Sequence, residues 1–133
     1  MINEKGFSLL EVLGSLVILT IIFLSFFQIF INSNKIAAVN NEKLVMIYLA
    51  DANLERTKID PFEHLPKIDP KSNSLYKETK AHKISLNDKE YTVTLNTTQN
   101  LKEKELNMFN IEVKVTSNTN KSSSSVEGYV IYE

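Results

Sequence analysis

The sequence predicts an α+β protein: a long N-terminal helix, membrane-spanning in its first half, packed by its second half on a small antiparallel sheet of about four strands. Three observations predict this. A nearly unbroken apolar run follows the first residues, helical periodicity continues beyond it as far as the first proline, and the C-terminal half alternates apolar with polar residues in short runs. The 133 residues are enough for one small domain.

The apolar run is the first element. No residue from Val12 to Asn34 is charged, and fifteen of the twenty positions from Val12 to Ile31 are Leu, Ile, Val or Phe. Twenty helical residues match the roughly 30 Å of hydrocarbon in a bilayer. At roughly −0.3 to −0.6 kcal/mol each, the fifteen large apolar residues favour insertion by about 5–9 kcal/mol. A secretory signal peptide has a shorter apolar core and a small-residue cleavage site, neither of which is found. Glu11 stands at the mouth of the run, where a carboxylate is tolerated at a cost and therefore invites a functional explanation.

The second element continues the helix as an amphipathic segment over 35–59. Ile36, Val39, Ile47, Ala50 and Leu54 form one stripe, interrupted by Lys43, and Ala38, Val45, Leu49 and Ala52 form a second on roughly the opposite side. The first is expected to bury against the protein's own sheet and the second to face other subunits. The helix-packing candidates are thus Ile36, Val39, Val45, Ile47, Leu49 and Leu54. Asp60-Pro61 ends the helix, because a residue before proline avoids the helical region. Asn32-Ser33-Asn34 and Asn40-Asn41 are its weakest points.

Residues 60–80 hold all three prolines and read as a surface connection with room for a short helical turn. The sheet is assigned to 81–133. Ile84 and Leu86, then Tyr91, Val93 and Leu95, alternate around Asn87-Asp88 as a hairpin. "MFNIEVKVT" gives a third strand, "TNKSSSS" a loop and "VEGYVIY" a fourth strand. With no cysteine, no disulfide or thiolate metal site is possible.

Composition narrows the chemistry. The net charge is −1 and lysines are interleaved with acids, so there is no global field for nucleic acid. Lys77, Lys80 and Lys83 with Tyr76 form a loose basic stretch, but Glu78 intervenes and the chain has a single Arg; direct nucleic-acid binding is disfavoured. His64 and His82 have no partner in the pattern, and Asn87-Asp88 falls short of a calcium loop. The three glycines make no phosphate loop, and the sequons at Asn96 and Asn120 carry little weight in an Asn-rich chain. The expectation is no catalytic residue, no metal and no cofactor, and so no enzyme.

Gly6 places a flexible peptide bond before a helix that begins inside the apolar run. Lys5, Gly6, Phe7, Ser8, Leu9, Leu10 and Glu11 together resemble the signature of the type IV pilin and pseudopilin superfamily. The resemblance implies that residues 1–6 are a cytoplasmic leader, that a prepilin peptidase cuts between Gly6 and Phe7, and that it methylates the new amine of Phe7. It implies that 7–34 is a transmembrane and filament-core helix, with the globular part extracytoplasmic until the chain enters a pilus-like filament. Glu11 corresponds to the carboxylate that pairs with the N-terminal amine of a neighbouring subunit, recovering part of the cost of a charge at low dielectric. The implied partners are the peptidase, other pilin or pseudopilin subunits, the inner or cytoplasmic membrane and an assembly platform. "LADANLERTK" is similar to the minor pseudopilins, namely the I-type subunit of type II secretion, the V-type minor pilin or a Gram-positive competence pseudopilin. Glu11 argues against the tip-capping subunit, and the helix lacks the proline found in many major pilins. A reading from another class stays open: a membrane-anchored extracytoplasmic module that captures a ligand or DNA and does not polymerise.

Overall fold

A computed structural model describes residues 6–65 and 76–132. The elements in chain order are α1 (Leu9–Ile59), α2 (Pro61–His64), β1 (Tyr76–Leu86), β2 (Lys89–Gln99), α3 (Leu101–Glu105), β3 (Met108–Ser117) and β4 (Ser123–Ile131). The fold is α+β, a long N-terminal helix followed by a four-stranded antiparallel sheet of order β1-β2-β3-β4. Contacts divide the chain into two units, Met1–Asn40 and Asn41–Glu133.

In the first unit the apolar run is helical throughout and its large side chains are exposed. An 18-residue window of α1 reaches a mean hydropathy of 2.5, and among the described residues α1 is long and apolar enough to cross a membrane. The asparagine-rich stretches at 32–34 and 40–41 do not break the helix.

In the second unit the sheet is a plain meander. Asn87 and Asp88 both take positive φ, 52° and 60°, as the two central positions of a tight hairpin require. Strand pairing sets Tyr91 opposite Ser117, Val93 opposite Val115 and Leu95 opposite Val113, so one face collects the apolar residues of β2 and β3. Phe109, Ile111, Val113 and Val115 are fully buried there against Met46, Ala50 and Leu54 of α1. A Cβ built on Gly128 of β4 would lie 2.9 Å from Leu54 Cδ2, so the helix approaches β4 closely because position 128 has no side chain. The other face is polar and laced by cross-strand bonds: Thr79 donates to Asn96 at 3.0 Å, Asn96 to Glu112 at 3.1 Å and Asn110 to Glu127 at 2.6 Å.

The structure differs from the expected elements in four places. The helix face on the sheet is Glu42, Met46, Ala50, Leu54 and Thr57, with Val45 and Leu49 at its margin. Ile36, Val39 and Ile47 are exposed, and so are Ala38 and Ala52. Apolar residues occur on several sides of this helix, and a carboxylate on the buried side hides its phase. β1 begins at Tyr76, inside the expected connection of 60–80, because its ladder with β2 runs on to Tyr76–Gln99 and Tyr76 packs edge-on against Phe109 at 5.6 Å. β4 takes in Ser123–Ser125, expected as loop, through pairing with Lys114, Val115 and Thr116. α3 was not expected; Asn100 and Glu103 close a reciprocal capping box at its start. The short turn foreseen in the connection is α2, begun by Pro61 and capped by Asp60, which accepts from Glu63 N at 3.2 Å.

Candidate functional site: the N-terminal processing and assembly segment

Gly6 and Phe7 precede α1 in non-helical backbone and are exposed. Met1–Lys5, the rest of the expected leader, lie outside the described residues. No glycine has positive φ, and a Cβ at Gly6 would meet nothing within 4 Å. Neither the local backbone nor packing within the chain therefore calls for glycine at position 6.

Ser8 and Glu11 start the helix as a reciprocal pair. Glu11 N donates to Ser8 Oγ at 3.2 Å, and Ser8 N donates to Glu11 Oε2 at 3.0 Å. This is the S-x-x-E capping box, which satisfies two backbone donors that a helix start leaves open. The carboxylate also lies in the first turn, where the helix dipole favours negative charge. Sequence reasoning placed Ser8 in the motif but missed its capping role, although serine three residues before glutamate at the edge of an apolar run was the available signal. One carboxylate oxygen, Oε1, makes no hydrogen bond to the described residues, so Glu11 can cap its own helix and still accept a cation. Side chains of a helix tilt toward its N-terminus, which turns Glu11 toward the polar end of the run.

Within the run, each hydroxyl is satisfied by the carbonyl four residues back. Ser15 donates to Glu11 O at 2.8 Å, Thr20 to Leu16 O at 2.7 Å and Ser25 to Ile21 O at 3.0 Å. Such back-bonding lets polar residues sit in a lipid-exposed helix without open donors. Leu19, Ile22, Phe23, Phe26, Phe27 and Phe30 line a shallow apolar groove along one side.

The expected helix-packing residues separate. Leu54 is buried and Val45 and Leu49 are half-buried on the sheet side, whereas Ile36, Val39 and Ile47 are exposed. The deepest polar contact in the second unit was not foreseen. Glu42, 6% exposed, accepts from Ser117 Oγ at 2.6 Å and from the Asn120 amide, with Lys89 Nζ at 3.5 Å. The Ser117 hydrogen bond holds the Glu42 carboxyl below its ordinary pKa; burial works against it, and Asn120 and Lys89 add to the lowering. One carboxylate thus ties α1 to residues beside both the β1–β2 and β3–β4 turns.

The remaining candidates do not converge. Lys77 and Lys83 fall on the polar face of β1 and Lys80 on the other, so alternation splits the basic stretch. Lys80 lies 3.9 Å from Glu78 and Lys83 lies 3.9 Å from Glu90. The Tyr76 hydroxyl donates to Glu78, and burial, reinforced by that carboxylate, raises the pKa of the phenol. His82 is exposed on β1, and His64 lies in α2. Among the described residues no three His, Cys, Asp or Glu side chains gather as metal ligands. The amides of Asn96 and Asn120 are already donating, to Glu112 and to Glu42.

Residues 1–27 match the family described as the prokaryotic N-terminal methylation motif. No curated protein and no solved structure matches the chain significantly. The motif supports the type IV pilin and pseudopilin superfamily and a chain that is a type IV pilin-like substrate of prepilin peptidase. It implies assembly with other pilin subunits, and with the apolar helix it is consistent with a single-pass membrane anchor.

Proposed function

We propose that this prepilin-peptidase substrate is a structural subunit, cut between Gly6 and Phe7, methylated on the Phe7 amine, and assembled through its N-terminal helix into a type IV pilus-like filament serving secretion, DNA uptake or adhesion. The carrying observation is the methylation motif over 1–27, placed just where the chain passes from exposed backbone into the apolar helix α1. A glycine that neither backbone nor packing demands is accounted for by a protease that must close around the chain there. The leader stays cytoplasmic, the sheet unit is extracytoplasmic, and the chain performs no reaction of its own. Its place is that of a minor pseudopilin, of the secretion, minor-pilin or competence kind, supported by the "LADANLERTK" resemblance.

Glu11 then carries two roles, capping α1 within the chain and pairing with the N-terminal amine of a neighbouring subunit as it enters the filament. Two variants separate them. Ser8→Ala breaks the capping box and keeps the carboxylate; Glu11→Gln removes the charge and keeps an acceptor for Ser8 N. Filament imaging at matched protein levels is expected to show assembly with Ser8→Ala and loss of assembly with Glu11→Gln. Equal filament numbers from Glu11→Gln and the unaltered chain would count against the pairing role.

A further inference from the structure

Gln28 is the unsolved polar group of the apolar run. The three hydroxyls of the run donate to their own helix, and Glu11 is engaged at the helix start. Among the described residues the Gln28 side chain makes no hydrogen bond, and its amide carries two donors and a carbonyl acceptor. Reading the run as membrane-spanning, which is the part of the proposed function this inference rests on, Gln28 lies three residues inside Ile31, about 4.5 Å along the axis. The tilt of helical side chains toward the N-terminus carries its amide deeper into the hydrocarbon, away from the nearer surface. Glu11 at the opposite end is carried outward by the same tilt. An amide without partners in hydrocarbon is costly, so the position calls for a neighbour that supplies both a donor and an acceptor.

The surrounding face fits a helix. Gly14, Ile21 and Gln28 recur at seven-residue spacing, and Ser25 falls between the last two at the seam position of a helix pair. A Cβ at Gly14 would meet nothing within 4 Å, so its smallness serves nothing inside the chain. Phe26 and Phe30 point away, each about 160° around the helix from Gln28. Helices associate in membranes through small residues and interhelical side-chain hydrogen bonds, and bulky apolar side chains suit lipid.

We infer that Gln28 is a hydrogen-bonding contact between two copies of this chain in the membrane, with the Gly14, Ile21, Ser25 and Gln28 face at the seam and the phenylalanine face toward lipid. A second copy is the occupant because an amide is complementary to itself: each Gln28 donates to the other's carbonyl, and a symmetric pair brings two such residues to the same depth.

The absence of cysteine makes the test clean. Full-length chains carrying Ser25→Cys or Phe26→Cys are reconstituted alone in phosphatidylcholine vesicles and oxidised, and disulfide dimers are quantified. Ser25→Cys is expected to cross-link and Phe26→Cys to do so several-fold less. Adding Gln28→Leu to the Ser25→Cys chain should lower dimer formation by about 3- to 30-fold, the span of measured interhelical side-chain bonds, and Gln28→Asn should largely restore it. Equal cross-linking from the two faces, or yields unmoved by Gln28→Leu, would overturn the inference. Alkaline extraction of the same vesicles separates the two levels: retention of the chain without face preference overturns the Gln28 contact alone, whereas release of the chain overturns it together with the membrane reading.

Discussion

Glu42 is the charged side chain whose removal should most disturb the second unit. Replacing it with leucine takes away the acceptor reached by the buried Ser117 hydroxyl at 2.6 Å, and with it the contacts of Asn120 and Lys89. A hydrogen bond to a charged group contributes about 1.5–3 kcal/mol, and that figure includes the cost of orphaning its partner. The Lys89 side chain is 44% exposed, so its ion pair adds less than about 1 kcal/mol. The expected loss is therefore about 2–3 kcal/mol. Ser117→Ala alone should cost about 1–2 kcal/mol, and the double variant should fall short of the sum by about 1 kcal/mol, because once the carboxylate is gone the hydroxyl has nothing to reach. The assay is urea unfolding of the full chain in detergent. The chain has no Trp, so it is followed by tyrosine fluorescence; Tyr91 is 3% exposed and reports on the core. The pH dependence gives a second, independent check. The folded pKa lies below the ordinary 4.5, so the carboxylate's contribution is present above that value and is lost as pH falls through the folded pKa. The stability gap between the unaltered chain and Glu42→Leu should accordingly shrink below about pH 4.5. Strict additivity of the two substitutions, or a gap that does not change with pH, would refute the reasoning.

Other expected outcomes follow from single positions. Gly128→Val drives a branched side chain into Leu54 and should cost about 1–3 kcal/mol in the same unfolding assay, a loss that Leu54→Ala in the same chain partly relieves. Lys121 holds φ 53° with a Cβ present, so Lys121→Gly should raise stability by up to about 1 kcal/mol, seen as a higher melting temperature. Gly6→Val finds open space and should leave the melting temperature unchanged, whereas co-expression with a prepilin peptidase should show its leader uncut on a gel.

The architecture was legible where one physical signal dominated. Twenty predominantly apolar positions can hardly be read other than as a helix of membrane length, and Asn87-Asp88 between alternating runs gives the hairpin because both residues tolerate positive φ. The phase of α1 over the sheet was not legible. Glu42, a charged residue, stands on the buried side, and its partners Ser117 and Asn120 come from 75 and 78 residues away. No local pattern encodes that distance, so Ile36, Val39 and Ile47 looked like better companions for Ala50 and Leu54 than Met46, which shares their buried face. The start of the first strand was obscured for a related reason. On the face of β1 shared with the core residues of β2 stand Glu78, Lys80 and His82, giving no alternation to read, and the strand is defined by its ladder with β2. At the N-terminal site the motif residues, Ser8 among them, were plain in the sequence, yet attention to the charge of Glu11 hid the capping box that it closes with Ser8.

The most direct test of the central claim is the intact mass and N-terminal sequence of the chain purified from its native membrane. The account predicts a chain that begins at Phe7 and carries one added methyl group on its amine. A chain still beginning at Met1, from cells with an active prepilin peptidase, would contradict it and leave α1 as a plain membrane anchor.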